Sequence, residues 1–236
     1  VGPSGSGKST LARLIARHWD ADAGSVKIGG ADVRDMPLDQ LSGLVSFVAQ
    51  DNYLFDVSIR ENIRLGRPGA SDGEVASAAA AACCDEFVQR LPRGYDTPVG
   101  EAGSALSGGE RQRISIARAI LKDAPVVVLD EATAFTDPES EDKIQRSIAR
   151  LSEGKTLVVI AHRLSTVTGA DQIAVVDDGR IAATGTHESL LANCPLYTRM
   201  WAAHVGAHDW AAGSKPAGPE TAEARHAVSK TEGGRQ

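Results

Sequence analysis

The run VGPSGSGKST, Val1–Thr10, decides the fold and poses a question about its own setting. Gly2, Gly7, Lys8 and Ser9 complete the spacing G-x-x-x-x-G-K-[ST], that of a phosphate-binding loop. An anion needs several N–H donors converging on it, and a glycine-rich turn opening a helix supplies them from backbone. Gly5 and Gly7 let the chain curl close to the ligand. Lys8 neutralises the β- and γ-phosphates, and the Ser9 hydroxyl is placed for Mg²⁺. The run Gly2, Pro3, Ser4, Gly5, Ser6, Gly7, Lys8, Ser9 and Thr10 is therefore the candidate nucleotide-phosphate site. Such a loop follows a buried strand, yet only Val1 precedes it. The chain is accordingly expected to lack that strand, with Val1 as its last residue.

The composition sets bounds on the rest. A chain of 236 residues, 42% hydrophobic and 24% charged, suits one large globular domain or two small ones. A net charge of −6 without a basic run opposes a nucleic-acid partner, because phosphate contacts require clustered Lys and Arg. Cys83, Cys84 and Cys194 show no metal-ligand spacing, and the adjacent pair reads as filler in an Ala-rich helix. No apolar run approaches the about 20 residues of a membrane span, and no signal peptide is visible.

Periodicity predicts alternating strands and helices. Short β-branched runs stand at Val26–Ile28 and Val45–Val48, and the pattern is mostly helical from Asp51 to about Asp123. VVVLD, Val126–Asp130, is a wholly apolar run ending in a carboxylate, as in a central parallel strand. A helix from about Glu139 to Leu151 leads to TLVVIAH, Thr156–His162, a second buried strand. IAVVDDGRIAATG, Ile173–Gly185, reads as a hairpin turning at Asp178-Gly179. From Gly206 the composition shifts to Ala, Gly, Pro, Ser, Glu and Lys without an apolar period, as in a disordered tail. The fold class is α/β around a mostly parallel sheet, with an inserted helical part.

Two further motifs narrow the chemistry. In VVVLDE, Asp130 ends the strand where it can hold Mg²⁺ through water. Glu131, one residue on, would face the γ-phosphate and polarise an attacking water. An acidic pair can also be a solvated strand end, but the loop upstream argues for the site. In LSGGERQR, Leu106–Arg113, Ser107 with the backbone of Gly108 and Gly109 makes a second anion-binding helix start. One chain then carries two phosphate-binding helix starts, far apart in sequence.

LSGG[QE] between a phosphate loop and a hydrophobic-DE strand resembles the signature of ATP-binding-cassette (ABC) ATPases. The resemblance covers roughly Gly2 to Leu191, with its parts in the family's order. It implies a P-loop NTPase core of mostly parallel sheet, an antiparallel β region and an inserted helical subdomain at about 51–123. A domain over 1–204 and a tail over 205–236 are expected. Gln50, in FVAQD, matches the family's glutamine that contacts Mg²⁺ and faces the transmembrane partner. LFDVSIRENI, Leu54–Ile63, and TPVGEAGSALSGGE, Thr97–Glu110, resemble exporter-type cassettes, in which the latter segment touches intracellular coupling helices. His162, in AHRLST, matches the switch histidine at the γ-phosphate. Asp137 stands at the family's D-loop aspartate, although Phe135 and Thr136 depart from the usual Ala-Leu. Phe-Thr-Asp-Pro-Glu, 135–139, resembles a subset of exporter-fold proteins linked to siderophores.

The resemblance thus implies ATP and Mg²⁺ as ligands, with Ser9, Gln50 and Asp130 as metal-side residues and Glu131 and His162 as catalytic ones. A head-to-tail dimer with a second cassette would hold two ATP molecules between loop and signature. The chain is expected to be the C-terminal part of an exporter-type polypeptide whose transmembrane domain precedes it, working at the cytoplasmic face of a membrane. Direction stays open, since exporter-like architecture does not guarantee export. An importer subunit, a soluble cassette ATPase and a non-hydrolysing half of a heterodimer stand as alternatives.

Overall fold

The computed structural model describes residues 1–130, 138–161 and 163–211. Helix α1 (Lys8–Ile15) follows the glycine-rich loop directly. A short antiparallel pair, β1 (Lys27–Ile28) and β2 (Ala31–Asp32), precedes helix α2 (Leu38–Leu44) and strand β3 (Val45–Val48). Four helices come next: α3 (Ile59–Arg64), α4 (Asp72–Ala81), α5 (Asp85–Val88) and α6 (Gly108–Lys122). The chain continues through β4 (Val126–Asp130), α7 (Pro138–Ser152) and β5 (Thr156–Ile160). It closes with the hairpin β6 (Ile173–Asp177) and β7 (Arg180–Gly185), then α8 (His187–Asn193) and α9 (Pro195–Ala211). Residues 212–236, most of the stretch expected as a tail, lie outside the described residues.

The parallel sheet has the order β3-β4-β5, with Val128 opposite Phe47 on one side and Val158 on the other. The central position of β4 explains its composition. Val127, Val128 and Leu129 are fully buried, because helices cover both faces of a parallel sheet and leave no solvated side to encode. Leu129 and Val127 face the larger core, built from α3 to α7. Val128 faces a second cluster of Ala12, Val33, Leu41 and Val45 beneath α1 and α2. A third cluster, with the fully buried Tyr197, packs β6 against α8 and α9.

Local signals account for where the elements start and stop. Ser71 and Glu74 form a reciprocal capping box at α4, as do Ser107 and Glu110 at α6. Helix α6 ends on Asp123 in the left-handed region (φ 57°), just before Ala124-Pro125. The β6–β7 turn places Asp178 (φ 45°) and Gly179 (φ 72°) at positive φ, as a two-residue type I′ turn requires. The Ala-rich helix expected through the adjacent cysteines breaks there instead. Cys83 turns the chain at φ 55° between α4 and α5, which lets the buried Cys84 start the next helix inside the core.

Val1 runs beside β6 in the parallel sense: its nitrogen donates to the Ala174 carbonyl at 2.9 Å, and Val176 N–H donates to its carbonyl at 2.8 Å. The loop that follows lies against the same hairpin. Gly179 N–H donates to the Ser6 carbonyl at 3.0 Å. At Gly2 (φ 152°) an added Cβ would sit 2.0 Å from the Val176 carbonyl oxygen, so only glycine allows this approach.

Two stability outcomes follow. Leu129→Ala is expected to cost about 2–5 kcal/mol in urea unfolding, since it empties a wholly buried site in the central strand. Gly2→Ala should cost about 1–3 kcal/mol by overpacking. A Gly2→Ala midpoint equal to wild type would show that β6 does not hold the loop.

Candidate nucleotide site

The loop owes its shape to where its own polar groups go. Gly7 opens α1 in the left-handed region (φ 100°) and offers no side-chain cap. The N-cap residue thus leaves the first-turn N–H groups of α1 without a capping side chain of its own, and the helix dipole adds partial positive charge there. Lys8 is buried to 8% exposure. Its Nζ donates to the carbonyls of Gly2 at 2.9 Å and Pro3 at 2.6 Å, with Ser6 Oγ at 3.5 Å. Carbonyls of the loop itself thus help to hold the ammonium. Pro3, Ser4, Gly5 and Thr10 are exposed, whereas Ser6 is buried against the turn of the β6–β7 hairpin.

Strand β4 brings the carboxylate in. Ser9 Oγ donates to Asp130 Oδ1 at 3.3 Å, joining the first turn of α1 to the end of the central strand. Asp130 is only 6% exposed. The pairing suits a small hard cation: Mg²⁺ takes oxygen ligands at about 2.0–2.1 Å in an octahedron, whose adjacent corners lie about 3 Å apart. Two oxygens at that spacing at the helix start fit such an ion directly or through its water shell. Gln50 follows β3 and is exposed, and its backbone carbonyl accepts from Asn52 Nδ2 at 3.2 Å.

The second helix start is arranged differently. Ser107 Oγ accepts from Glu110 N–H at 3.3 Å, and Glu110 Oε2 accepts from Ser107 N–H at 2.8 Å. Ser107 and Gly108 face solvent and Gly109 is buried. The hydroxyl and carboxylate serve the helix cap, so an incoming anion would meet the backbone of Gly108 and Gly109 rather than a poised side chain.

Glu131, Asp137 and His162 lie outside the described residues. Their neighbours do show how the flanking chain is held. Arg163, next after His162, donates from Nη1 to both carboxylate oxygens of Glu141 on α7 at 2.9 Å. The RLST signal gave no reason to expect this pair, because Glu141 is one of several acids on a charged helix.

The two exporter-like stretches, distant in sequence, are adjacent in space. Ser58 and Pro98 form an antiparallel bridge, flanked by Ile59 N–H to Thr97 O at 3.0 Å and Val99 N–H to Val57 O at 3.1 Å. Beside this strap Tyr53, Phe55 and Val57 are 50%, 53% and 41% exposed, a ridge of apolar side chains on one edge of the helical part. A cleft of about 370 Å³ opens next to it, lined by Phe47, Ala49, Asn52, Tyr53, Phe55 and Arg118 among others. Among the described residues no helix is long and apolar enough to cross a membrane.

Known proteins share this arrangement. Residues 1–134 match the family described as ABC transporter. The mycobactin import ATP-binding/permease protein IrtA of Mycolicibacterium smegmatis is 54% identical over 201 residues, which are 85% of this chain and 23% of that protein. The ATP-dependent lipid A-core flippase of Syntrophus aciditrophicus is 49% identical over 200 residues, 85% of this chain and 33% of its own length. Among solved structures, that of a bacterial Atm1-family ABC exporter with ATP bound superposes with a TM-score of 0.81 at 45% identity, covering 86% of this chain and 35% of that one. The chain thus spans between about a quarter and a third of the relatives it matches. The match over more than half of its length places this chain in the ABC transporter family, as an ATP-binding domain.

Proposed function

We propose that this domain hydrolyses Mg-ATP and that the hydrolysis drives a transmembrane transporter. The observation that carries the reading is the 3.3 Å contact between Ser9 and Asp130, which assembles a hydroxyl and a carboxylate at an open helix start. ATP phosphates would lie over the N–H groups of α1, with Lys8 turning from the Gly2 and Pro3 carbonyls to the β- and γ-phosphoryl oxygens. Mg²⁺ held by Ser9 and Asp130, with Gln50 nearby, would supply charge neutralisation between those oxygens. Glu131 follows Asp130 directly and is the residue to orient the attacking water. His162 would steady the charge that develops on the transferred phosphoryl group.

The exposed Ser107 and Gly108 support a head-to-tail dimer. A second cassette would present its α6 start to the ATP held here, and Asp137 would mediate between the two sites. The ridge of Tyr53, Phe55 and Val57 is the surface we assign to a cytoplasmic loop of the transmembrane domain, in line with relatives that are fused ATP-binding/permease proteins. With that assignment the domain would work at the cytoplasmic face of the membrane. The acidic net charge supports no nucleic-acid role.

For the transported class we infer a siderophore of the mycobactin type. The resemblance at 135–139 supports it, as do relatives named for mycobactin import at 54% identity from three organisms. Relatives named for mycobactin import and for multidrug export are 54% and 47% identical to this chain, which supports a direction set outside the cassette.

Glu131→Gln is the direct test. Turnover of ATP should fall by about 10²–10⁴-fold, the range for losing a positioned general base, while ATP still binds. Lys8→Ala should instead abolish binding, measured with a fluorescent ATP analogue. Undiminished turnover in Glu131→Gln would sink the assignment.

A further inference from the structure

One half-buried side chain that neither the phosphate loop nor the α6 start uses ties the segment after Gln50 to α6. The Arg118 guanidinium donates from Nε to the Asn62 carbonyl at 2.6 Å, from Nη1 to the Tyr53 carbonyl at 2.8 Å, and from Nη2 to Asn62 Oδ1. These acceptors are all neutral. Burial without a carboxylate lowers its pKa to about 10, so it stays charged at neutral pH. Desolvating even part of a cation against carbonyls alone is costly. The planar fork reaches two chain segments at once, as a lysine point charge does not.

Asn62 completes the network and is itself fully buried. Its Oδ1 accepts from Phe55 N–H at 3.0 Å, and its Nδ2 donates to the carbonyls of Phe55, Val57 and Ser58 at 2.9, 3.3 and 3.0 Å. Two side chains thus set the backbone from 53 to 58 and leave the apolar ridge facing out. One turn beyond Arg118, Lys122 Nζ donates to the carbonyl of Val45, the first residue of β3, at 2.9 Å. The strand leading into Gln50 and the loop leaving it therefore hang on the same helix. Contact is direct: a Cβ at Gly66 would lie 2.3 Å from the Arg118 carbonyl, so no side chain separates the chain after α3 from α6.

We propose that Arg118 is a positioning residue. It clamps residues 53–58 to α6, so that a displacement at the Ser107–Gly109 end of this 15-residue helix carries the Tyr53–Val57 ridge with it. The clamp rests on the observed hydrogen bonds alone, while the motion that drives it rests on the ATP reading above.

The test compares the full chain with Arg118→Lys and Arg118→Gln, the first guarding against a variant that fails to fold. Without nucleotide, amide hydrogen exchange of Phe55 and Val57 should quicken by about tenfold or more in both variants, while amides of β4 keep their protection. Unchanged exchange over 53–58 would overturn the clamp. With Mg-ATP, wild type should change its protection over 53–58. The variants should lose that response and about tenfold in kcat, with KM for ATP within about twofold, a split that general destabilisation does not produce. A response retained in either variant, or an equal loss in kcat and affinity, would overturn the coupling. If wild type binds no ATP, the functional reading fails, and the nucleotide-free exchange still decides the clamp.

Discussion

The hydrogen bond from Ser9 to Asp130 joins residues 121 apart in sequence, and much of the fold serves to hold those two groups in place. Ser9 needs α1 to start where it does, which needs Gly7 at positive φ and a loop that Gly2 can press against β6. Asp130 needs a strand buried on both faces, so that its carboxylate emerges at one fixed point. A carboxylate at such low exposure would be costly if nothing opposed its charge. The partial positive charge of the α1 start and the Ser9 hydroxyl offset that cost, and the same groups make the place attractive to a hydrated divalent cation. Stability and site chemistry are here one arrangement.

Helix α6 is the second organising element, and it works at both ends. Its N-terminus is capped reciprocally by Ser107 and Glu110, which stiffens the backbone of Gly108 and Gly109 that an anion would meet. Its later turns carry Arg118 and Lys122 into the β3 side of the core, where they bind backbone carbonyls on either side of Gln50. A well-packed helix has little compliance along its axis, so groups at its two ends are mechanically related. Cation heads on long stems suit this role, because they reach past the first layer of side chains to main-chain acceptors.

Much of the site was readable from residues. The spacing of Gly2, Gly7, Lys8 and Ser9, the apolar run ending at Asp130 and the Ser-Gly-Gly-Glu start of α6 are each short, local patterns with a direct physical cause. The boundaries of β4 coincide with its apolar run, since a strand buried on both faces leaves an uninterrupted signal, and β3 coincides with the short run Val45–Val48. Other features left no such trace. The helix break at Cys83 depends on core packing beneath Cys84, not on any helix-breaking residue. Arg118 reads as one more cation on an amphipathic helix, and Asn62 as a polar residue in a short one. Their pairing became visible only when the chain between 53 and 62 was seen to wrap them.

By itself, then, the sequence determined the class of fold, the two helix starts suited to phosphate and the acidic strand end, because each is encoded within ten residues or fewer. Tertiary structure decided which of them meet. It set Ser9 against Asp130, laid the hairpin turn against Ser6, strapped Val57 to Val99 and hydrogen-bonded Arg118 to the carbonyls of Tyr53 and Asn62. Those pairings depend on helices and strands packing at fixed distances around shared cores, a constraint summed over the whole chain that no local pattern carries.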